Sequence, residues 1–213
     1  FPVPVNEDDI WPDSQRVTAG EYNDGTPCFF FDGADPEIGA TRRARNVGTI
    51  TVSGGAQNFS LEYQEFAESY SLNPDEVFDV FNDGGGLISL SGVGSSRFGG
   101  FAVQVQSPDV LLPSDVDLGT SIAAVGHIVT WTPGNGDFVR VLLRAGSVSV
   151  ECDGPDNGML TISGGALQML GSGNADVMVS RVVERGFLTA APEGAVSVRL
   201  SSAVNAGNLV IED

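Results

Sequence analysis

Apolar residues recur at every second position in many short stretches of the chain after residue 46. Residues 59–63 and 101–105 show this alternation most clearly, and it is the period of a strand with one buried face. Turns rich in glycine and aspartate separate such stretches at intervals of about ten residues. Helical spacing occurs only over 71–81 and 167–170. The pattern predicts an all-β protein made of antiparallel strands.

The alternation also assigns individual strands and the side chains that they bury. Val129 and Trp131 are expected to face the core from one strand, and Val139, Val141 and Leu143 from the next. The predicted strands are 47–52, 59–63, 87–91 and 101–105 in a first block, and 127–131, 138–143, 147–152, 159–162, 177–183, 196–200 and 208–211 in a second.

Changes in composition divide the chain into three parts. We predict an irregular N-terminal arm at 1–46, a first β-sandwich module at 47–112 and a second at 119–213, with a stretch rich in proline and aspartate between the modules. Within the arm, the three phenylalanines at 29–31 cannot all share one face of a strand. We therefore expect this part of the arm to be fixed to the body of the protein.

Two segments carry a resemblance to known modules. Residues 129–133 read Val-Thr-Trp-Thr-Pro, and residues 139–141 read Val-Arg-Val. This combination resembles immunoglobulin-like and fibronectin type III modules, in which a tryptophan at the end of one strand packs inside and the next strand alternates against it. The resemblance implies an immunoglobulin-like sandwich for the second module, and we expect the whole chain to form two antiparallel β-sandwich modules of this kind.

The layout of the whole chain is a block rich in Gly-Gly, a proline-rich joint and a block with Trp-Thr-Pro and one cysteine. This layout is similar to that of uncharacterised secreted, lipoprotein-like surface proteins of Gram-negative bacteria. The similarity implies an extracellular, outer-membrane or periplasmic location, with a lipid anchor upstream of residue 1 as one arrangement. It implies no activity.

The charge of the chain narrows the classes of partner. There is no lysine, and 28 acidic residues against 10 basic ones give a net charge of −18. Nucleic acids and anionic membranes are disfavoured because both are bound through lysine and arginine. No apolar run is long enough to span a bilayer. We expect a monomer that meets protein or glycan partners at the cell surface.

The two cysteines, Cys28 and Cys152, leave two alternatives open. In an oxidising compartment they form the only disulfide available within the chain. That bond would close a loop of about 125 residues and contribute about 5 kcal/mol in the chain-entropy model. Otherwise they are two buried thiols. We favour the disulfide.

The sequence contains few side chains suited to catalysis. The single histidine, His127, begins an apolar strand in phase with Val129 and Trp131, so we expect it to be structural rather than a catalytic base. Most carboxylates lie in turns, where solvation keeps them ionised and unsuited to general acid catalysis. We therefore predict a non-enzymatic protein with a structural or adhesive role, ahead of a hydrolase.

A calcium-dependent carbohydrate-binding module is the alternative. No cofactor is required by the sequence, but calcium prefers oxygen ligands, and two acidic loops could supply them. The calcium candidates are Asp32, Asp35, Glu37, Asp153 and Asp156. Aromatic side chains could form a platform for sugars. The candidate ligand aromatics are Trp11, Tyr22, Tyr63 and Tyr70.

Overall fold

A computed structural model of the chain describes residues 17–18, 28–32, 46–65, 69–71, 84–95, 98–119, 126–188 and 195–212. The strands are β1 (Val17–Thr18), β2 (Cys28–Asp32), β3 (Ile50–Ser53), β4 (Phe59–Gln64), β5 (Ser69–Ser71), β6 (Leu87–Gly92), β7 (Phe101–Gln106), β8 (Val116–Asp117), β9 (Gly126–Trp131), β10 (Phe138–Ala145), β11 (Val148–Gly154), β12 (Met159–Ser163), β13 (Gly173–Leu188) and β14 (Ala195–Ile211). A 3₁₀ turn at Pro113–Asp115 precedes β8, and the helix α1 (Gly164–Leu170) follows β12. The described strands pair in antiparallel sheets, so the predicted all-β fold is confirmed.

The chain divides into two compact units. Among the described residues, unit 1 draws on Thr41–Pro108 and Val183–Leu200, and unit 2 draws on Glu7–Ala40, Asp109–Val182 and Ser201–Asp213. The division falls within β13 and β14, so each of these long strands contributes one part to each unit.

Unit 1 is built on a five-stranded sheet with the order β5-β4-β3-β6-β7. Alternation along the strands turns apolar side chains to one side, where Val52 and Ile88 are buried. On the same side of the sheet, Val105, Val183 and Val198 form a small buried cluster. Partly buried apolar side chains, which include Leu90 and Phe187, pack against this cluster. The opposite side of this sheet is exposed.

Unit 2 contains a six-stranded sheet, β1-β2-β11-β10-β13-β14, and a three-stranded sheet, β12-β9-β8. The two sheets contribute to one hydrophobic core, as in a β-sandwich. Val129 and Trp131 of β9 and Val139, Val141 and Leu143 of β10 are buried in it, as the alternation predicts. Phe30 of β2 also packs against this core.

The helix α1 closes part of the same core. Ser163 precedes it and its Oγ accepts a hydrogen bond from Ala166 N at 3.3 Å, which satisfies one of the free N–H groups of the first turn. Leu167 and Leu170 are buried, so the helical turn predicted at 167–170 is confirmed as part of a longer element. Gly171 ends the helix with a φ of +76°, a conformation that favours glycine.

Several boundaries differ from the prediction. The stretches 196–200 and 208–211 belong to one strand, β14, and the predicted 177–183 is the centre of the longer β13. The predicted helix at 71–81 lies outside the described residues from 72 onwards. Within the described part of the chain, no helix has the length and apolar character needed to cross a membrane.

Candidate functional site

The exposed side of the five-stranded sheet in unit 1 carries an array of small polar side chains. Along β4, Ser60, Glu62 and Gln64 are exposed, while Phe59 and Tyr63 turn to the other side and are half-buried. Apart from the exposed Leu87 at the start of β6, the corresponding outward positions of four strands form what we call the polar face: Thr51, Ser53, Ser60, Glu62, Gln64, Ser89, Ser91, Ala102, Gln104 and Gln106. Glu62 is its single charged residue.

The strand register aligns these side chains in rows. Thr51 lies opposite Ser60 on one side and Ser91 on the other, and Ser91 lies opposite Ala102. Directly opposed side chains in such a ladder have Cβ atoms about 5 Å apart. One row of short side chains therefore crosses four neighbouring strands.

Hydrogen bonds within the polar face, and from Thr49 just before β3, keep two of its longer side chains against the sheet. Gln104 Nε2 donates to Ser89 Oγ at 3.1 Å, and Thr49 Oγ1 donates to Glu62 Oε2 at 3.1 Å. Hydroxyl and amide groups can donate and accept further bonds at the same time. The face can therefore hydrogen-bond an external polar surface without losing its internal contacts.

The two tyrosines of unit 1 have structural contacts. The rings of Tyr63 and Tyr70 pack edge to face, with centroids 5.3 Å apart. The Tyr70 hydroxyl accepts from Val47 N at 2.7 Å and donates to Gly48 O at 2.8 Å. Burial raises the pKa of Tyr70, so its phenol is protonated at neutral pH. These contacts fix the segment that leads into β3.

A buried ion pair lies at one end of the unit 2 core. Arg181 Nε donates to Asp156 Oδ2 at 2.8 Å, and the two side chains are 3% and 2% exposed. Asp156 also accepts from Trp131 Nε1 at 2.8 Å and from the backbone of Gly134 and Gly136. The carboxylate thereby connects the turn after β11 with the turn after β9.

The same arginine reaches two further segments. Its terminal nitrogens donate to the backbone carbonyls of Asp109, at 3.2 Å, and of Thr132. Asn135 Oδ1 in turn accepts from Asp109 N at 2.6 Å. A buried charge is tolerated only when it is paired and hydrogen-bonded, and this network meets that condition for Arg181.

A second arginine engages the neighbouring acidic residues. Arg140 makes two bonds of 2.8 Å to Asp153 and lies 2.9 Å from Glu151. Both calcium candidates in this region, Asp153 and Asp156, thus have an arginine against their carboxylates, and a cation at either would have to displace it.

Most of the remaining predicted site residues lie outside the described part of the chain, namely Trp11, Tyr22, Asp35 and Glu37. For Asp32 the structure describes the backbone but not the side chain. Over the described ranges, no three His, Cys, Asp or Glu side chains group in a way that could hold a metal ion. Calcium binding stays the untested alternative.

The two cysteines are joined. Cys28 of β2 lies opposite Cys152 of β11, with Cα atoms 4.1 Å apart, and the pair forms a disulfide between buried side chains. The predicted disulfide is confirmed, and the alternative of two free thiols is wrong. The bond attaches β2 covalently to the six-stranded sheet.

His127 lies on the inward side of β9. Its Nε2 atom is buried and makes no hydrogen bond. Its ring lies near Gly119, where a Cβ atom would stand 3.5 Å from His127 Cε1. The inward position is the one expected from its phase with Val129 and Trp131, and a structural role for the imidazole stays a prediction.

Two features of the site are absent from the sequence-based predictions. The polar face has a signal, since hydroxyl and amide residues alternate with apolar ones in β4 and β7, but the order of strands that joins them into one surface is not apparent from the sequence. Arg181 gives no signal of its own, because its position within a valine-rich strand does not reveal a partner 25 residues away.

Comparison with known proteins adds no family: no protein-family model matches the chain, and no curated protein matches it in sequence.

Proposed function

We propose that the chain is a non-enzymatic protein with a structural or adhesive role, secreted or at the cell surface, and that it makes its contacts through the polar face. The observation that carries this proposal is the exposed array of hydroxyl and amide groups across four strands of unit 1. With Glu62 as its only charge, this surface is nearly neutral on a chain of net charge −18. Its partners are polar, uncharged surfaces of proteins or glycans.

The positions of the aromatic residues support this role over that of a sugar-stacking module. Tyr63 and Tyr70 pack against each other, and Tyr63 points away from the polar face. Among the described residues, the polar face contains no aromatic side chain on which a sugar ring could stack. Recognition there would rest on hydrogen bonds, which suits many weak contacts spread over a flat surface.

Further features support the proposed location and finer fold. Disulfides such as Cys28–Cys152 persist mainly outside the cytosol, which supports secretion. The buried Trp131 and the alternating β10 support the inference that the modules are immunoglobulin-like sandwiches. Together they favour membership of the lipoprotein-like surface proteins of Gram-negative bacteria that the layout resembles. Fractionation of source cells tests the location, and a purely cytosolic pool would contradict it.

Retention of the purified protein on immobilised cell envelopes of the source organism tests whether the polar face makes the proposed contacts. The double variant Thr51→Glu, Ser91→Glu places two carboxylates at the centre of the row, and we expect its retention to fall to that of blank support. The matched control is Ser201→Glu, another exposed serine on a strand, in unit 2. Equal retention of the wild type and the double variant would contradict the proposal.

A glycan array probed with and without calcium distinguishes the proposed role from the alternative function. Glycan binding that requires calcium would favour the calcium-dependent carbohydrate-binding module. We expect calcium and a chelator to give the same melting temperature, because arginines already contact Asp153 and Asp156.

A further inference from the structure

Strand β7 forms one edge of the five-stranded sheet, and its own sequence and pairing carry none of the features that usually protect an edge. Its six residues pair one to one with β6, without a bulge. The strand contains no charged residue and no proline. Edge strands are normally shortened, bulged, or marked with lysine or proline to prevent pairing with another chain. The opposite edge, β5, follows that rule and spans only three residues.

The register of β7 shows which backbone groups are directed outward. Ser107 N donates to Gly86 O at 2.7 Å, just beyond the end of β7. Since hydrogen-bonded and non-hydrogen-bonded pairs alternate in an antiparallel ladder, the odd-numbered residues of β7 bond to β6. The residues whose N–H and C=O groups point away from the sheet are Ala102, Gln104 and Gln106.

The long side chains of β7 are directed over the sheet and not across this edge. Gln104 Nε2 donates to Ser89 Oγ at 3.1 Å, and Gln106 Nε2 donates to Gly85 O at 3.3 Å. Both acceptors lie on or next to β6, so both amides are directed back over the sheet. A second strand could approach the outward backbone groups without displacing them.

We propose that two copies of the chain pair through β7, antiparallel about a two-fold axis at Gln104, to form one continuous sheet. In this register Gln104 faces its own copy and Ala102 faces Gln106, and each pair exchanges both backbone hydrogen bonds. Identical strands satisfy each other's outward groups without further adaptation.

Local charge permits a second copy at this edge. Two chains of net charge −18 repel each other over most of their surfaces. Across β7, however, the facing side chains are alanine and glutamine, so that no like charges meet. Composition alone predicts a monomer, and the neutral, unprotected edge is the reason to propose a dimer.

Burial gives a second argument. Val105 of β7 is 2% exposed, but Phe101 and Val103 on the same side of the strand are only half-buried. Pairing about Gln104 would place Val103 opposite Val105 of the copy and extend the small cluster of Val105, Val183 and Val198. Apolar area removed from water in this way stabilises the dimer.

Light scattering coupled to size exclusion tests the proposal on the full chain. We expect the wild type to reach twice the chain mass of 22.2 kDa at high concentration and to dissociate on dilution. Gln104→Pro removes an outward N–H while leaving the bonds to β6, and should raise the dissociation constant at least about tenfold. A wild type that keeps the chain mass at every concentration would overturn the proposal.

Charge variants keep the test decisive if the proline variant unfolds. Gln104→Lys and Gln104→Glu each place like charges across the axis, so each alone should weaken the dimer, and mixing the two should restore it. The controls are Ser60→Lys and Ser60→Glu, on the same face but on the inner strand β4, and their mass should match the wild type. A dimer unaffected by all Gln104 variants would show that it forms elsewhere, which also overturns the proposal.

Discussion

Arg181 and Asp156 form an ion pair that is almost completely removed from solvent, with Nε and Oδ2 2.8 Å apart. The pair is also the meeting point of four chain segments, because Asp156 accepts from Trp131 and two glycine N–H groups while Arg181 donates to two backbone carbonyls. Its role is to hold the turns at one end of the unit 2 core in a single arrangement.

Arg181→Leu should strongly destabilise the protein. The substitution leaves the Asp156 carboxylate buried without its counter-charge, which costs about 3–5 kcal/mol. Urea unfolding followed by tryptophan fluorescence measures the loss. The matched control is Arg199→Leu, which breaks a pair with Glu184 whose side chains are 35% and 27% exposed, and it should cost about 0–1 kcal/mol. Equal effects of the two variants would refute the structural role of the buried pair.

Alternation predicts the strands whose inward positions are all apolar, such as β4 and β10. It does not predict the continuity of β14, because Ser202 is an inward position and is polar. Ser202 is nevertheless buried, with an exposed fraction of 8%, and its Oγ accepts a hydrogen bond from Leu111 N at 2.9 Å. That hydrogen bond compensates the burial of the hydroxyl, and it depends on a segment 91 residues away. Local pattern cannot supply such a partner.

The same limit applies to the acidic turn at 153–156. Its composition suggests a calcium loop, because Asp carboxylates and backbone carbonyls are calcium ligands. In the fold, however, Arg140 stands opposite Asp153 in the β10–β11 ladder, and Arg181 reaches Asp156 from β13. The cations that meet these carboxylates are therefore side chains from other strands, and only the sheet order brings them there.

Removal of the disulfide should lower stability while leaving the fold intact in native buffer. The double variant Cys28→Ala, Cys152→Ala loses the constraint on a loop with a sequence separation of 124, and we expect a loss of about 2–5 kcal/mol. Thermal unfolding of the oxidised wild type, the reduced wild type and the variant measures it. The reduced wild type should resemble the variant. Titration of two reactive thiols in the unfolded, unreduced protein would contradict the presence of the bond.

His127→Leu should leave stability unchanged or raise it by about 1 kcal/mol. The Nε2 atom of His127 is buried without a hydrogen bond, so the imidazole carries a desolvation cost that leucine does not. The control is Ile162→Ala, at the residue opposite His127 in the β9–β12 ladder, which should cost about 2–5 kcal/mol through the cavity that it leaves. A strong loss in His127→Leu, measured by urea unfolding, would reveal a function of the imidazole that its contacts do not show.

Tyr70 should make the stability of unit 1 fall at alkaline pH. Burial raises its pKa above the ordinary value near 10, so the folded state holds the phenolic proton more tightly than the unfolded chain does. Its contribution is fully present below about pH 10 and is lost as the pH rises from there through the folded pKa.

Tyr70→Phe also removes the bonds to Val47 N and Gly48 O and should cost about 1–3 kcal/mol at neutral pH. Urea unfolding from pH 8 to pH 11 measures both effects, with Tyr63→Phe as the control for tyrosine ionisation in general. A pH profile of Tyr70→Phe that parallels the wild type would exclude Tyr70 as the source of the alkaline loss.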